Sequence, residues 1–317
     1  MVEPPDYSEA RPHTPVLFHE VLSALHPDPG SRIIDGTVGA AGHAAGILDL
    51  SSPDGRLLGI DRDPAALTIA RERLIDYGSR AILRHGSFDE IAGHAAEIGW
   101  KSVHGVLLDL GLSSMQLADP GRGFSFKEEG PLDMRLDPSQ SIQAADLINN
   151  LSEGELAEIL SKHGEEPKSK TIARAIVRAR PIESTKELSE LIARTAGRRG
   201  QRIHPATRTF QALRIAVNDE LNVLQSALPQ AVELLEPRGR LVVIAFHSLE
   251  DRIVKQFFKH ESLDCDCPPE QPVCTCDKIA RLRVLTKRPI RPSEEEISRN
   301  PRARSARMRV AERKGLA

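Results

Sequence analysis

Three aspartates at the ends of predicted strands are the side chains best placed to bind a small molecule. Asp35 ends the run Ser31-Arg32-Ile33-Ile34-Asp35, Asp61 ends the next strand-like run, and Asp109 ends the fourth. In an open parallel sheet, ligands bind beyond the carboxyl ends of the strands, and an acid in the place of Asp61 accepts hydrogen bonds from ribose hydroxyls. The three positions therefore predict a site for a nucleoside-like ligand.

The loop after Asp35 indicates the charge of that ligand. It reads Gly36-Thr37-Val38-Gly39-Ala40-Ala41-Gly42, with glycines spaced differently from the G-x-G-x-x-G loop that cradles a pyrophosphate. A carboxylate followed by such a turn suits a cation, and S-adenosylmethionine has a sulfonium and an ammonium group but no phosphate. We therefore predict S-adenosylmethionine as the cofactor. Phe88, after the third strand, is placed either beside its adenine or in the ordinary core.

The elements that position these residues are an alternating series of strands and helices. Strand-like runs rich in Val, Ile and Leu lie at 31–35, 56–61, 81–85 and 103–109. Helix-like segments separate most of them, and repeated β-α units predict an α/β fold, a mostly parallel sheet with helices on both faces.

The alternation stops at Leu112. From there we predict no buried strand but a loop rich in Gly, Pro and Ser and helical stretches, followed by an amphipathic helix through Leu213 and Leu228 and further strands. The predicted stretches are helices at 144–160 and 172–180 and strands at 240–246, 282–285 and 306–310. This pattern predicts a discontinuous domain, residues 1–111 and 217–317, that is interrupted by an inserted helical domain, residues 112–216.

Charge is distributed unevenly along the 317 residues. The net charge is -2, yet residues 168–214 carry +9, residues 277–317 carry +8 and the remainder carries -19. Local Lys and Arg density attracts polyanions, although a charge run is also typical of a solvated helical face. With only 11 aromatic residues, a base-stacking sheet is excluded. The sequence shows no signal peptide and no membrane span, so we expect a cytoplasmic protein.

All four cysteines lie in two C-x-C pairs, Cys265-Asp266-Cys267 and Cys274-Thr275-Cys276. Such pairs fit either a tetrahedral zinc knuckle or free thiols in a mobile loop, and disulfides are rare in the cytoplasm. Both alternatives stay open at this point, and we assign no metal ligand.

Longer motifs run in order along nearly the whole chain, and in them the chain closely resembles the ribosomal small-subunit methyltransferase H family, also called MraW. The matching stretches are His13-Thr14-Pro15-Val16-Leu17, Asp35-Gly36-Thr37, Gly59-Ile60-Asp61-Arg62-Asp63-Pro64, Leu108-Asp109-Leu110-Gly111, Arg122-Gly123-Phe124-Ser125-Phe126, Gly130-Pro131-Leu132-Asp133-Met134-Arg135, His204-Pro205-Ala206-Thr207-Arg208-Thr209-Phe210-Gln211, Phe246-His247-Ser248-Leu249-Glu250-Asp251-Arg252 and Asn300-Pro301-Arg302-Ala303-Arg304-Ser305. The resemblance implies a class I S-adenosylmethionine-dependent methyltransferase fold with an inserted helical domain. It also implies methyl transfer to N4 of a cytidine in the decoding region of 16S rRNA.

The resemblance implies that the cofactor lies on Ala41, Gly42, His43, Asp61, Phe88, Asp109 and Gln116, and its strand-end position adds Asp35 to the predicted cofactor site. One departure from the family concerns Ala40-Ala41, where the family loop commonly has a longer residue and then glycine. Alanine at a position that needs positive φ costs about 1 kcal/mol, so we expect a slightly rearranged loop and weaker cofactor binding.

The cytosine N4 amino group is a poor nucleophile because its lone pair is delocalised into the ring. Transfer needs in-line positioning and acceptors for the amino hydrogens. Asp109 and backbone carbonyls of residues 110–112 are our candidates for these acceptors, and the alternative is that Asp109 only binds the cofactor.

The residues assigned to the substrate are Phe124, Phe126, Asp133, Arg135, Arg208 and His247. Packing is the alternative for the two phenylalanines, and a structural ion pair is the alternative for Asp133 and Arg135. Ser248 with Asp251 predicts a helix N-cap beside His247. The arginines expected to bind RNA are Arg174, Arg178, Arg198, Arg199, Arg202 and Arg208 in the insertion and Arg302, Arg304 and Arg307 in the tail.

The expected partner is 16S rRNA or the small ribosomal subunit, and the sequence leaves naked RNA and assembled particle both open. Monomer and homodimer are also both open. A non-catalytic RNA-binding assembly factor is the second reading of the sequence, and a nicotinamide oxidoreductase, disfavoured by the glycine spacing, is the third.

Overall fold

A computed structural model describes residues 15–197, 204–268, 271 and 273–315. Its chain divides into two compact units: unit 1 within residues 1–111 and 222–317, and unit 2 within residues 112–221. Some residues named above lie outside the described residues: His13, Thr14, Arg198, Arg199 and Arg202.

The helices and strands have the following bounds. The strands are β1 (Arg32–Asp35), β2 (Arg56–Asp61), β3 (Ala81–His85), β4 (Val103–Asp109), β5 (Leu235–Ala245), β6 (Leu282–Val284) and β7 (Arg307–Arg313). The helices are α1 (Phe18–Leu25), α2 (Gly42–Leu50), α3 (Pro64–Arg73), α4 (Ile91–Glu97), α5 (Ser114–Ala118), α6 (Ala144–Asn150), α7 (Glu153–Gly164), α8 (Ser169–Ala179), α9 (Thr185–Ala196), α10 (Ala206–Asn218), α11 (Glu220–Leu234), α12 (Ser248–Glu261) and α13 (Glu294–Arg299).

Unit 1 is built on one sheet with the strand order β3-β2-β1-β4-β5-β7-β6. The strands from β3 to β5 pair in parallel, whereas β7 pairs antiparallel with both β5 and β6. This confirms the predicted α/β fold with a mostly parallel sheet and the predicted final pair of strands.

Both faces of the sheet are buried, which explains the nearly continuous apolar strands. Successive residues point to opposite faces: Ile33 and Leu57 belong to one apolar cluster, with α1 and α2, and Ile34 and Leu58 belong to the other, with α4 and α11. Apolar clusters on both faces therefore hold the sheet in place, and with it the edge at which the parallel strands end.

Unit 2 has its own apolar core, formed mainly by α6 to α10 and the loop before them. Among its described residues, the strand-type pairing is a single isolated bridge between Pro131 and Ser184. The insertion is thus helical where it is described. Within the described chain, no helix is both long and apolar enough to cross a bilayer.

Two predicted helices are each divided in the structure. The stretch 144–160 forms α6 and α7, because the Ser152 side chain accepts a hydrogen bond from the Glu155 N–H and the Glu155 carboxylate accepts one from the Ser152 N–H, which caps a new helix. The helix through Leu213 and Leu228 forms α10 and α11, which are separated by Asp219 in a left-handed conformation with φ 51°.

Candidate cofactor site

The three aspartates lie on neighbouring strands. Asp61 ends β2, Asp35 ends β1 and Asp109 ends β4, and these strands are adjacent in the order β2-β1-β4. Because the strands are parallel, the three carboxyl groups lie at one edge of the sheet. The structure therefore brings together the three acids that the sequence separates by up to 74 positions.

The loop after β1 crosses this edge and is held by the strands on either side. The Gly36 N–H donates to the Leu107 carbonyl at 2.9 Å, and the Gly39 N–H donates to the Asp61 carboxylate at 2.8 Å. A Cβ on Gly36 would lie 2.6 Å from the Leu108 side chain, so this position needs glycine. These hydrogen bonds hold the loop backbone against β4 and β2.

Ala41 has the left-handed backbone that glycine adopts most easily. It is fully buried, has φ 59° and ψ 31°, and is the N-cap of α2. A left-handed alanine costs about 1 to 2 kcal/mol. Alanine at position 41, where the family loop commonly has glycine, therefore leaves this turn with backbone strain that glycine would not have.

Asp35 is the most deeply buried of the three acids, with 1% of its surface exposed. Its carboxylate accepts a hydrogen bond from the Thr37 N–H at 3.1 Å. Burial, with a smaller contribution from the charge of Asp61, raises the pKa of Asp35 to about 7. A bound cation would offset this cost of ionising the carboxyl group.

One carboxylate oxygen of Asp109 has no hydrogen-bond partner among the described residues. Its backbone N–H donates to the Thr37 hydroxyl at 2.7 Å, and its Oδ2 lies 3.7 Å from His43 Nδ1. Its Oδ1 is buried and has no hydrogen-bond partner among the described residues. Burial and then the charges of Asp35 and Glu250 raise the pKa of Asp109 well above its usual range. A buried acceptor without a partner in the described chain is available to a hydrogen-bond donor of a bound ligand.

Asp61 is used partly to hold the loop. Its two oxygens accept the N–H groups of Gly39 and Asp63 at 2.8 and 2.9 Å. Burial raises its pKa to about 6. A carboxylate accepts further hydrogen bonds on its remaining lone pairs, so Asp61 remains available to ribose hydroxyls.

His43 and Gly42 belong to the first turn of α2. The imidazole of His43 is buried, and its Nε2 lies 3.0 Å from the Val16 carbonyl. At Gly42, a Cβ would lie 2.3 Å from the Pro15 ring, so this turn also needs a glycine for close packing. Both residues pack the first turn of α2 against the segment at Pro15 and Val16 that precedes α1.

Phe88 follows β3, is half-buried and packs against the cluster that contains Ile34. Its neighbours Ser87 and Asp89 were not singled out from the sequence. Ser87 Oγ and Asp89 Oδ1 are both buried and, within the described chain, have no hydrogen-bond partner. Their place directly after a parallel strand is the signal that could have found them.

The set of residues fits S-adenosylmethionine. Three carboxyl groups share one strand edge, burial raises their pKa values, and the buried acceptors Ser87 Oγ, Asp89 Oδ1 and Asp109 Oδ1 have no hydrogen-bond partner in the described chain. A ligand with a sulfonium, an ammonium and ribose hydroxyls supplies those charges and donors. The same set would repel a phosphate.

Gln116 belongs to unit 2 and has a local role there. Its Oε1 accepts a hydrogen bond from the Ser113 N–H at 2.9 Å, and its N–H donates to Ser113 Oγ, which closes the N-terminus of α5. Its assignment to the cofactor stays a prediction.

The two phenylalanines assigned to the substrate have different surroundings. Phe124 is 6% exposed and lies in the core of unit 2. Phe126 is half-buried, with its ring stacked on His204 at 4.7 Å and edge-on to Phe210 at 4.9 Å. Phe126 is therefore the better placed of the two to offer a ring face to a base.

Asp133 and Arg135 form a bidentate ion pair. Arg135 Nε and Nη2 donate to the two carboxylate oxygens of Asp133 at 2.8 and 2.7 Å, and its Nη1 donates to the carbonyls of Pro138 and Gln140. These bonds lower the pKa of Asp133. The pair organises its own loop.

The arginines assigned to RNA differ in whether they also form ion pairs within the protein. Arg178 and Arg208 are exposed on α8 and α10, whereas Arg174 is paired with Glu153 at 3.1 Å. In unit 1, Arg302 and Arg304 are exposed and Arg307 contacts Asp251 at 3.3 Å.

His247, not Ser248, is the N-cap of α12, which corrects the predicted cap by one residue. Its Nδ1 accepts from the Glu250 N–H at 3.4 Å, and its Nε2 lies 3.1 Å from the Glu250 carboxylate. The extended backbone of His247 and the acid three residues later select this register. Its role as a substrate contact stays a prediction.

Comparison with known proteins gives a consistent result. Residues 10–314 match the model of the MraW methylase family. Proteins named ribosomal RNA small subunit methyltransferase H are similar throughout. One from Thermomicrobium roseum is 57% identical over 304 residues, covering 95% of this chain and 93% of its own. One from Dehalococcoides mccartyi is 54% identical, covering 95% and 86%, and one from Heliobacterium mobile is 50% identical, covering 95% and 98%.

Proposed function

The chain belongs to the MraW methylase family, and from this premise we propose that it methylates N4 of a cytidine in the decoding region of 16S rRNA. The cofactor is S-adenosylmethionine, which supplies an activated methyl group when bound. The observation that carries the proposal is the buried Oδ1 of Asp109, which lacks a partner among the described residues at the edge where three acids meet.

Asp35, Asp61 and Asp109 hold the cofactor in this proposal. Asp61 accepts the ribose hydroxyls, and Asp35 and Asp109 offset the positive charges. Gly42 and His43 hold the N-terminus of α2 against Pro15 and Val16. Burial raises the pKa of all three acids, and a bound cation would favour their ionised forms and so offset that cost.

Asp109 also takes the proton from the acceptor nitrogen. Its Oδ2 is oriented toward His43, which leaves Oδ1 to accept a hydrogen of the N4 amino group and draw electron density onto that nitrogen. Methyl transfer would form a bond from N4 to the methyl carbon and break the bond from that carbon to the cofactor's sulfur, so N4 would become cationic and lose a proton. A carboxylate with a raised pKa is a suitable base for that proton.

Phe126 and the exposed arginines serve the RNA. A flipped cytosine stacks on an aromatic face, and arginines contact phosphates. We assign these roles to Phe126, Arg178 and Arg208 in unit 2 and to Arg302 and Arg304 in unit 1, because their side chains are exposed or half-buried. Phe124 packs in the core of unit 2, and Asp133 and Arg135 organise the loop at residues 133–140.

The decisive experiment identifies the methylated nucleoside. Small subunits and naked 16S rRNA from cells that lack this modification are incubated separately with the protein and isotopically labelled S-adenosylmethionine, and the nucleosides are separated by mass spectrometry. We expect label in N4-methylcytidine in one of the two arms. Label in another nucleoside, or none in either arm, would contradict the proposal.

A further inference from the structure

The four cysteines converge in the connection between α12 and β6. Although they are spread over residues 265–276, all four Sγ atoms lie within 4.8 Å of one another, and none is in a disulfide. Cys274 Sγ lies 3.5 Å from Cys265, 3.6 Å from Cys276 and 3.9 Å from Cys267, and Cys276 Sγ lies 3.8 Å from Cys265.

Four of the six sulfur–sulfur separations match the edge of a tetrahedron around one metal ion, and the other two are within 4.8 Å. With a zinc–sulfur bond of about 2.3 Å, the edge of a regular tetrahedron of sulfurs is about 3.8 Å. The four measured separations, 3.5 to 3.9 Å, lie around that value. A disulfide needs about 2.05 Å. An iron–sulfur cluster has a larger inorganic core, which holds the cysteine sulfurs farther apart.

Backbone N–H groups already point at two of the sulfurs. The Asp266 N–H donates to Cys276 Sγ at 3.4 Å, and the Cys267 N–H donates to Cys265 Sγ at 3.3 Å. Such bonds stabilise thiolates and orient ligands around a metal. The short C-x-C spacing lets the first pair fold back on itself, and the Asp266 N–H links the first pair to the second.

The loop that carries the cysteines has little else to order it. Its described residues form no helix or strand from Leu263 to Arg281, and Val273 and Ile279 are 68% and 69% exposed. Segments without an apolar core usually need a cross-link or a metal. The loop is nevertheless anchored at its ends: the Ala280 N–H donates to Asp264 at 2.9 Å, and Lys278 is paired with Asp266.

We propose that Cys265, Cys267, Cys274 and Cys276 bind one structural zinc ion. Four thiolates fill the coordination sphere and leave no open position, so the site orders the loop and takes no part in methyl transfer. Each zinc–sulfur bond replaces an S–H bond, and the protons pass to solvent. Four sulfur ligands favour zinc over magnesium or calcium, which prefer oxygen.

The test measures metal and thiols in the purified full-length protein. The protein is prepared without a metal-affinity step and dialysed against metal-free buffer. Zinc and iron are then quantified by mass spectrometry, and thiols are counted with a disulfide reagent that releases a coloured product. We expect about one zinc per chain, no iron, thiols that react only after denaturation with a chelator, and four of them then. Four reactive thiols without metal, disulfides, or iron in the place of zinc would overturn the proposal.

Two variants sharpen the result. The double substitution Cys274→Ser with Cys276→Ser should reduce bound zinc to less than about a tenth per chain, whereas Thr275→Ser, in the same loop, should retain it. Should the double variant fail to fold, exchange of zinc for Co²⁺ in the wild-type protein decides, because a tetrahedral cobalt tetrathiolate has strong visible bands. Absence of those bands after exchange would also overturn the proposal.

Discussion

The strand edge of unit 1 and the loop of unit 2 both contain charged residues singled out from the sequence, but the fold treats them differently. At the strand edge, burial raises the pKa of Asp35 and of Asp109, neither is paired with Lys or Arg in the described chain, and Asp109 Oδ1 has no hydrogen-bond partner there. In the loop, Asp133 and Arg135 satisfy one another through two short hydrogen bonds. A buried charge that the protein leaves uncompensated indicates a ligand, whereas one that is fully paired indicates architecture.

This contrast predicts the largest effect at Asp109. Asp109→Asn should reduce the methylation rate about 10²- to 10⁴-fold, because the amide cannot take the proton from N4. Steady-state methylation of unmodified small subunits measures it, with the exposed Asp54→Asn as the control. A variant that retains the wild-type kcat would remove Asp109 from the mechanism.

At Asp35, the expected effect is on cofactor binding and its pH dependence. A carboxyl group with a pKa near 7 is protonated below that pH, so the affinity for cationic S-adenosylmethionine should rise as the pH increases from 6 to 8. Asp35→Asn should weaken binding about tenfold at pH 8 and remove most of that rise. Calorimetric titration across this range measures both, and a wild-type affinity that is independent of pH would contradict the assignment.

The same substitution should stabilise the cofactor-free protein. A carboxyl group whose pKa is raised by folding binds more protons when folded than when unfolded, so its contribution to stability is lost as the pH rises from about 4 to 7. At pH 8, Asp35→Asn should increase the free energy of unfolding by about 1 to 3 kcal/mol. A cofactor-free variant that is less stable than the wild type at pH 8 would show that Asp35 is not strained by burial.

In unit 2, the effect should be on stability. Arg135→Gln should lower the free energy of unfolding by about 1 to 3 kcal/mol, because Asp133 then loses a bidentate partner. Urea denaturation measures it, and Arg174→Gln, an exposed pair with Glu153, is the control with an expected loss below about 1 kcal/mol. A loss of methylation at unchanged stability would instead place Arg135 in contact with the substrate.

The smallest effect is expected at Ala41. Ala41→Gly should stabilise the protein by up to about 1 kcal/mol, because glycine adopts the left-handed backbone without strain. Ala40→Gly, at the neighbouring buried position without positive φ, should not stabilise it. Equal effects of the two substitutions would mean that φ at Ala41 is not strained.

The parallel sheet and the three strand-end aspartates of the site follow from local sequence features. Alternating apolar runs predicted the parallel sheet, and acids directly after those runs predicted the ligand edge, because a strand end is defined by the chain itself. Helix boundaries were less accurate where caps such as Ser152 and the left-handed Asp219 divide an otherwise continuous apolar pattern.

The amino-acid sequence specifies which chemical groups are available: three carboxyl groups at strand ends, a glycine loop, two basic segments and two C-x-C pairs. Which of these groups have a hydrogen-bond or ion-pair partner depends on how the chain folds. Partners such as Thr37 for Asp109, or Cys265 for Cys276, come from elements brought together by strand order or loop closure. Burial and pairing depend on neighbours that are distant in the chain, so no local pattern reports whether a charge is compensated.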